Sequence, residues 1–272
     1  MNRGIVLFAL AMAAIVALLC FSLFGSWSVS KPDVLVYSGE GTRKQDVEET
    51  VQCFKAHLPK GYNVKEVSAK YLRENDWEST SSIVIIPGGR DKPFTTDLSP
   101  VTDRIRKFVE NGGNYIGIGA GAYFASNSID FQKDSMQKIV EPRELKLING
   151  KAVNAFTEYE YDNRVGARTP QVHPTWDDDR TFVFYCHGGS VFELDPEDKN
   201  MTVLAELDDG RPVIVLGKVG AGKALVSGVH FEYDPKSVFF HETKHEDVVK
   251  VLHQNEHQRA GFIRKLLEHL KL

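Results

Sequence analysis

Cysteine is scarce in this 272-residue sequence: there are three, and Cys20 lies inside a long apolar stretch, which leaves Cys53 and Cys186 for the folded part. Two thiols exclude a disulfide framework, and a lone Cys53–Cys186 bridge is the one pairing left open. No Cys-x-x-Cys pair is present to hold zinc or run thiol exchange. Four histidines, His241, His245, His253 and His257, crowd near the end. They read as an exposed polar segment leading into a helix, and no metal is expected. An excess of either charge is also missing, since 33 Lys and Arg are interspersed with 37 Asp and Glu for a net charge of -4. That balance provides no basic stripe for nucleic acid and no acidic tail, so no nucleic-acid partner is expected. Internal repeats and low-complexity segments are absent after residue 33.

What is present begins with GIVLFALAMAAIVALLCFSLFG, residues 4–25, which carries no charge and follows Arg3. Its length suits a membrane-crossing helix. Ser26, Ser28 and Ser30 allow signal cleavage instead, so an uncleaved signal-anchor is preferred over a cleaved signal peptide on length alone. Arg3 favours a cytoplasmic N-terminus, which puts the rest of the chain on the lumenal or extracellular side, or outside the cell after cleavage. Asn200-Met201-Thr202 is a glycosylation sequon that such a location makes usable. The expected division is therefore 1–30 as anchor or signal and 31–272 as one α/β domain; about 240 residues suffice for a single core of that kind.

The domain reads as alternating strands and helices. Asp33–Tyr37 is a buried strand and Lys44–His57 an amphipathic helix; Tyr62–Val67 and Ser82–Ile86 are strands. Pro100–Glu110 is helical, Asn114–Ile118 is the fourth strand, and Ala120–Ser126 turns at once into a helix. Such alternation implies a parallel sheet with helices on both faces. Thr181–Tyr185, Thr202–Leu207, Pro212–Lys218 and Lys223–Ser227 extend it as a mixed sheet, and Glu256–Leu272 closes the chain as a helix with Phe262, Leu266, Leu267 and Leu270 on one face.

Three short motifs sit at strand ends. Gly117-Ile118-Gly119-Ala120-Gly121 has the glycine spacing of a nucleophile elbow, with Gly119 at its centre and the Ala120 N–H placed to stabilise an oxyanion. His230-Phe231-Glu232 offers a base and its orienting acid. Pro87-Gly88-Gly89 offers a second oxyanion donor from a flexible backbone. Taken singly, each is explained as readily by a tight turn or a surface loop.

In this order the motifs resemble the class I glutamine amidotransferases. The wording IVIIPGGRDKPF, GGNYIGIGAGAYFAS, FYCHGG and GKALVSGVHFEYDP is similar to the amidotransferase-like domain at the N-terminus of fungal-type biotin–protein ligases, which also occurs alone. The likeness covers Asp33 to Pro235. It implies a flavodoxin-like sheet with the site at its C-terminal edge, His230 and Glu232 as base and orienting acid, and the N–H groups of Gly89 and Ala120, beside Gly88, as oxyanion or ligand donors. Family members commonly have cysteine where Gly119 stands, and glycine cannot attack an amide. Tyr123, Ser126 and Ser128, in or after the elbow helix, and Cys186, the remaining thiol near an expected loop beside His187, are the substitutes to weigh. The expectation is a non-catalytic module that uses no cofactor and binds a small molecule or protein. An amidase with another nucleophile is the alternative. A dinucleotide-binding protein is the second, since Gly117-x-Gly119-x-x-Ala122 also fits that fingerprint. GKVGAGK, residues 217–223, lacks the Ser or Thr of a phosphate loop and precedes a strand, so a hairpin turn explains it.

Overall fold

The run Asp33–Tyr37 forms β1 with all five residues buried, and a strand covered on both faces needs a layer on each side. The computed structural model describes residues 32–132, 138–160, 165–177, 179–237 and 246–272. In chain order β1 is followed by α1 (Lys44–His57), β2 (Asn63–Val67), α2 (Ala69–Glu74), β3 (Ser81–Ile86), α3 (Asp91–Leu98) and a single 3-10 turn at Ser99–Val101. Next come α4 (Thr102–Glu110), β4 (Asn114–Ile118), α5 (Ala120–Ala125), β5 (Ser126–Phe131), β6 (Ile139–Pro142), β7 (Ile148–Asn154) and β8 (Gln171–Pro174). The chain ends with β9 (Phe182–Val183), β10 (Ser190–Leu194), β11 (Met201–Leu207), β12 (Pro212–Val219), β13 (Gly222–Ser227) and α6 (Glu246–His269).

The large sheet runs β2-β1-β3-β4-β13-β12-β11-β8-β9. Its first five strands are mutually parallel, and the remaining pairings are antiparallel. Side chains alternate between faces along each strand. Val34 and Val36 accordingly join a core with α1 and α6, while Leu35 and Tyr37 join one with α2 to α5. A mixed, mostly parallel sheet with helices on both faces was expected; the sheet is mixed, with its antiparallel pairings as many as its parallel ones, and its parallel half is consistent with a flavodoxin-like order.

Three further features depart from expectation. A second sheet, β10-β7-β5-β6, begins at Ser126, directly where α5 ends, and packs Ile129, Ile148 and Phe192 into the core on that side. Thr181–Tyr185 keeps only Phe182 and Val183 in the sheet, because the next residues turn to bridge Arg168 and His230. The closing helix also starts at Glu246, ahead of Glu256. β12 and β13 do form the hairpin expected across residues 217–223.

Residues 4–25, expected as a membrane or signal segment, lie outside the described residues, as do His241 and His245. Among the described residues no helix is long and apolar enough to cross a membrane, and no group of side chains is assembled to hold a metal ion. His253 and His257 lie exposed on α6. Cys53 and Cys186 are both free and buried, which closes the bridge left open by the sequence.

Candidate functional site

Parallel strands β1, β3, β4 and β13 all end at one edge, and the loops leaving them carry the three motifs to a single place. Gly119 is the pivot. Its backbone sits at φ 56, ψ -113, which a residue with a side chain adopts only under strain. The turn is pinned by Gly119 N–H to Ser227 O at 2.9 Å, and by Ala122 and Tyr123 N–H to Gly119 O at 3.0 and 3.2 Å. An ideal Cβ on Gly119 lies 3.3 Å from His230 Cε1, 3.4 Å from His230 Nε2 and 3.6 Å from Gly88 Cα. The position therefore has the strained geometry of a nucleophile elbow and faces the imidazole. It carries no reactive atom.

His230 is held from every side. Its N–H donates to Tyr185 O at 2.8 Å, and its ring lies 4.6 Å from that of Tyr233. His230 Nδ1 meets Glu232 Oε1 at 2.7 Å, with both side chains buried. A carboxylate at Nδ1 favours the tautomer with its hydrogen on that nitrogen, which in a neutral imidazole makes Nε2, on the side of Gly119, the acceptor. The Tyr233 hydroxyl donates to Asp46 Oδ1, and Arg43 Nε donates to Asp46 Oδ2 at 2.9 Å. Asp46 is fully buried on α1. In Pro87-Gly88-Gly89, a Cβ on Gly89 would meet Gly41 O at 2.2 Å, so glycine lets this loop close against the one after β1.

These loops open into a cavity of about 340 Å³ lined by Gly88, Gly89, Gly119, Ala120 and His230 on the sheet edge. Phe131 and Ile139 from the second sheet, with Tyr123, Tyr159 and His187, supply an aromatic and apolar lining, and Arg43, Arg90 and Lys92 supply cations. Asp91 also lines it and is engaged by buried Arg143 at 2.5 Å; burial raises the Asp91 carboxyl above its usual range despite that cation.

Every residue expected at the site is thus brought together. Asp46, Arg43, Tyr159 and the second-sheet residues were missed. Asp46 had a readable signal, since a carboxylate in step with Thr50 and Cys53 falls on the buried stripe of α1. The proposed substitute nucleophiles are poorly poised. Burial pushes the Cys186 thiol up to about 11, and it lies 3.8 Å from Gly228 O. Tyr123 donates to Gly189 O at 3.1 Å, and burial holds its proton well above the usual range. Ser126 Oγ is tied to Ala122 O at 3.1 Å. Ser128 lies outside the cavity lining.

His187 yields a test of this electrostatic setting. Burial, with Arg43 nearby, lowers its pKa from 6.5 to about 4. Between those values the unfolded chain binds more protons, so stability is complete above 6.5 and is lost as the pH falls through the window. The loss is on the order of 1–2 kcal/mol after solvent screening. Urea midpoints across the window should show it, and His187→Asn should flatten it; equal slopes in both proteins contradict this assignment.

A mixed sheet with an elbow, a buried His–Glu pair and a glycine loop at the C-terminal edge of its parallel half defines a class I amidotransferase-like domain. More narrowly, the chain belongs to the family described as biotin-protein ligase, N terminal, whose model matches residues 32–272. Among curated relatives, the biotin–protein ligase of Schizosaccharomyces pombe is 29% identical over 215 residues, which is 74% of this chain and 33% of the ligase. This chain thus spans about a third of that enzyme's length. An uncharacterized protein of Chlamydia muridarum is 30% identical over 236 residues, covering 84% of this chain and 90% of the relative. Solved structures that match include a cytoplasmic protein of Salmonella typhimurium LT2, with TM-score 0.49, 14% identity and coverage of 88% and 99% of the two chains. A β-galactosidase from Rahnella sp. R3 has TM-score 0.47 and 15% identity, over 73% of this chain and 29% of that one.

Proposed function

We propose that this chain is an amidotransferase-like binding module that holds a small ligand in the cavity without a covalent step. Gly119 carries the reading: it keeps the strained elbow conformation directly opposite His230, and it lacks the side chain on which thioester chemistry depends. The His230–Glu232 pair and the Gly88-Gly89 loop remain useful for binding, as acceptor and as backbone donors. Neither alternative gains support. Cys186, Tyr123 and Ser126 are buried and tied, Ser128 lies outside the cavity lining, and in the dinucleotide fingerprint Gly117 serves close packing, since a Cβ there would meet Gly121 O at 2.4 Å. The test is ammonia release from glutamine and simple amides by the full chain in detergent. Release at the background rate is expected, and turnover abolished by His230→Ala would sink the proposal.

The charge-free run of residues 4–25 supports a second proposal, that it holds the domain at a membrane, lumenal or extracellular, with secretion after cleavage as the alternative. In cell fractionation the full chain should stay with carbonate-washed membranes, whereas a chain beginning at Lys31 should remain in the supernatant. Equal partition of the two overturns the anchor.

A further inference from the structure

We infer that the cavity selects a small planar carboxylate bearing an O–H or N–H donor away from its acid group. This rests on the binding-module reading above and adds the ligand's chemistry to it. The first support is the aromatic wall. Tyr123 meets Phe131 edge to face at 5.6 Å, Phe131 meets Tyr159 at 5.5 Å, and Tyr159 meets His187 at 4.7 Å. Rings locked against one another in this way present a rigid apolar surface, against which a flat body loses little freedom on binding. His187 belongs to that wall as a neutral ring, because its proton is not held until about pH 4.

Charge supplies the second support. Arg43, Arg90 and Lys92 line the cavity, and among the described residues the carboxylate in its lining is that of Asp91, which Arg143 already engages. Arg43 is paired through Nε with Asp46, and Lys92 meets Glu141 at 2.7 Å, so each charge is partly offset, and what the pair adds to the cavity is oriented N–H donors of a kind a carboxylate accepts from. The third is His230 Nε2, an acceptor opposite Gly119, which a carboxylate cannot satisfy but a hydroxyl or N–H can. The same arrangement disfavours free glutamine, whose ammonium group would enter a cavity with a cationic lining and whose body is not flat.

The experiment is calorimetric titration of the full chain in detergent with 4-hydroxybenzoate and four analogues. Benzoate removes the donor, 4-hydroxybenzamide the charge and 4-hydroxycyclohexanecarboxylate the flat ring, whereas glutamine keeps an acid and an amide N–H but lacks the flat body and adds an ammonium group. The first compound should bind tightest, each deletion should weaken binding about tenfold, and affinity should fall as salt rises. Tyr159→Leu should weaken 4-hydroxybenzoate about tenfold as well, with Phe131→Leu as the second variant should the first not fold. Binding of glutamine or 4-hydroxybenzamide as tight as that of 4-hydroxybenzoate overturns the inference and leaves the binding module standing. Failure of all five to bind overturns it too, whereas ammonia release from glutamine by the unaltered chain overturns the binding module itself.

Discussion

Gly119→Cys is expected to give the elbow a thiol that forms a covalent adduct, which glycine cannot do. A Cβ at this position already falls 3.4 Å from His230 Nε2, so a sulfur one bond further can reach the imidazole. Glu232 at Nδ1 then stabilises the imidazolium that accepts the thiol proton, 2.7 Å from the ring. The nearest contacts of that Cβ, 3.3 to 3.6 Å, need only small adjustment, so the cost lies in the backbone: φ 56 with a side chain is about 1–3 kcal/mol unfavourable. The variant should therefore be less stable and far more reactive. At neutral pH it should be alkylated by iodoacetamide faster than free cysteine, and intact mass should show one adduct where the unaltered chain shows none. Adding His230→Ala should slow alkylation by about a hundredfold. A folded Gly119→Cys protein that reacts no faster than free cysteine would mean that the imidazole is not aligned with the elbow.

Much of this frame was legible in the sequence, for reasons that also explain what was not. Parallel strands buried on both faces are continuous apolar runs, so Asp33–Tyr37 and Asn114–Ile118 were bounded correctly, as was the helix Lys44–His57 from its apolar period. The second sheet was invisible because its strands are half-buried and mixed in character; Ile148–Asn154 reads INGKAVN, with neither a clean alternation nor an apolar run. Glu246 to Asn255 hid the start of α6, since its polar residues pack only Val248 and Leu252 inward. The site divides along the same line. Gly119, Gly88, Gly89, Ala120, His230 and Glu232 follow strands that the sequence revealed, and their motifs could be read in order. Tyr159 and Phe131 reach the cavity from the unrecognised half, so the wall facing the elbow had no signature.

The two outer glycines of the elbow have a different basis from the central one, and that difference predicts the largest loss of stability. A Cβ on Gly121 would lie 2.0 Å from Ile86 O and 2.8 Å from Ile86 C, both backbone atoms at the end of β3. No rotamer relieves a collision of that kind; α5 has to move away from the sheet. α5 also carries Ala122 and Phe124 into the core and leads straight into β5, so the displacement would reach the cavity's second wall. Gly121→Ala should therefore cost about 3 kcal/mol or more, at the upper end of overpacking, and lower Tm by roughly 6–12 °C for a domain of this size. Gly261→Ala is the matched control: an added Cβ meets nothing within 4 Å there, and alanine is the better helix former, so stability should rise by up to about 1 kcal/mol. Denaturant unfolding of both variants checks the pair. If Gly121→Ala unfolds at the same midpoint as the unaltered chain, the elbow is not packed against β3 as described. If it is destabilised while Gly119→Cys still folds, the flanking glycines hold the turn and the central position remains open to a nucleophile. On that outcome, what the site lacks is one side chain, with its architecture otherwise retained.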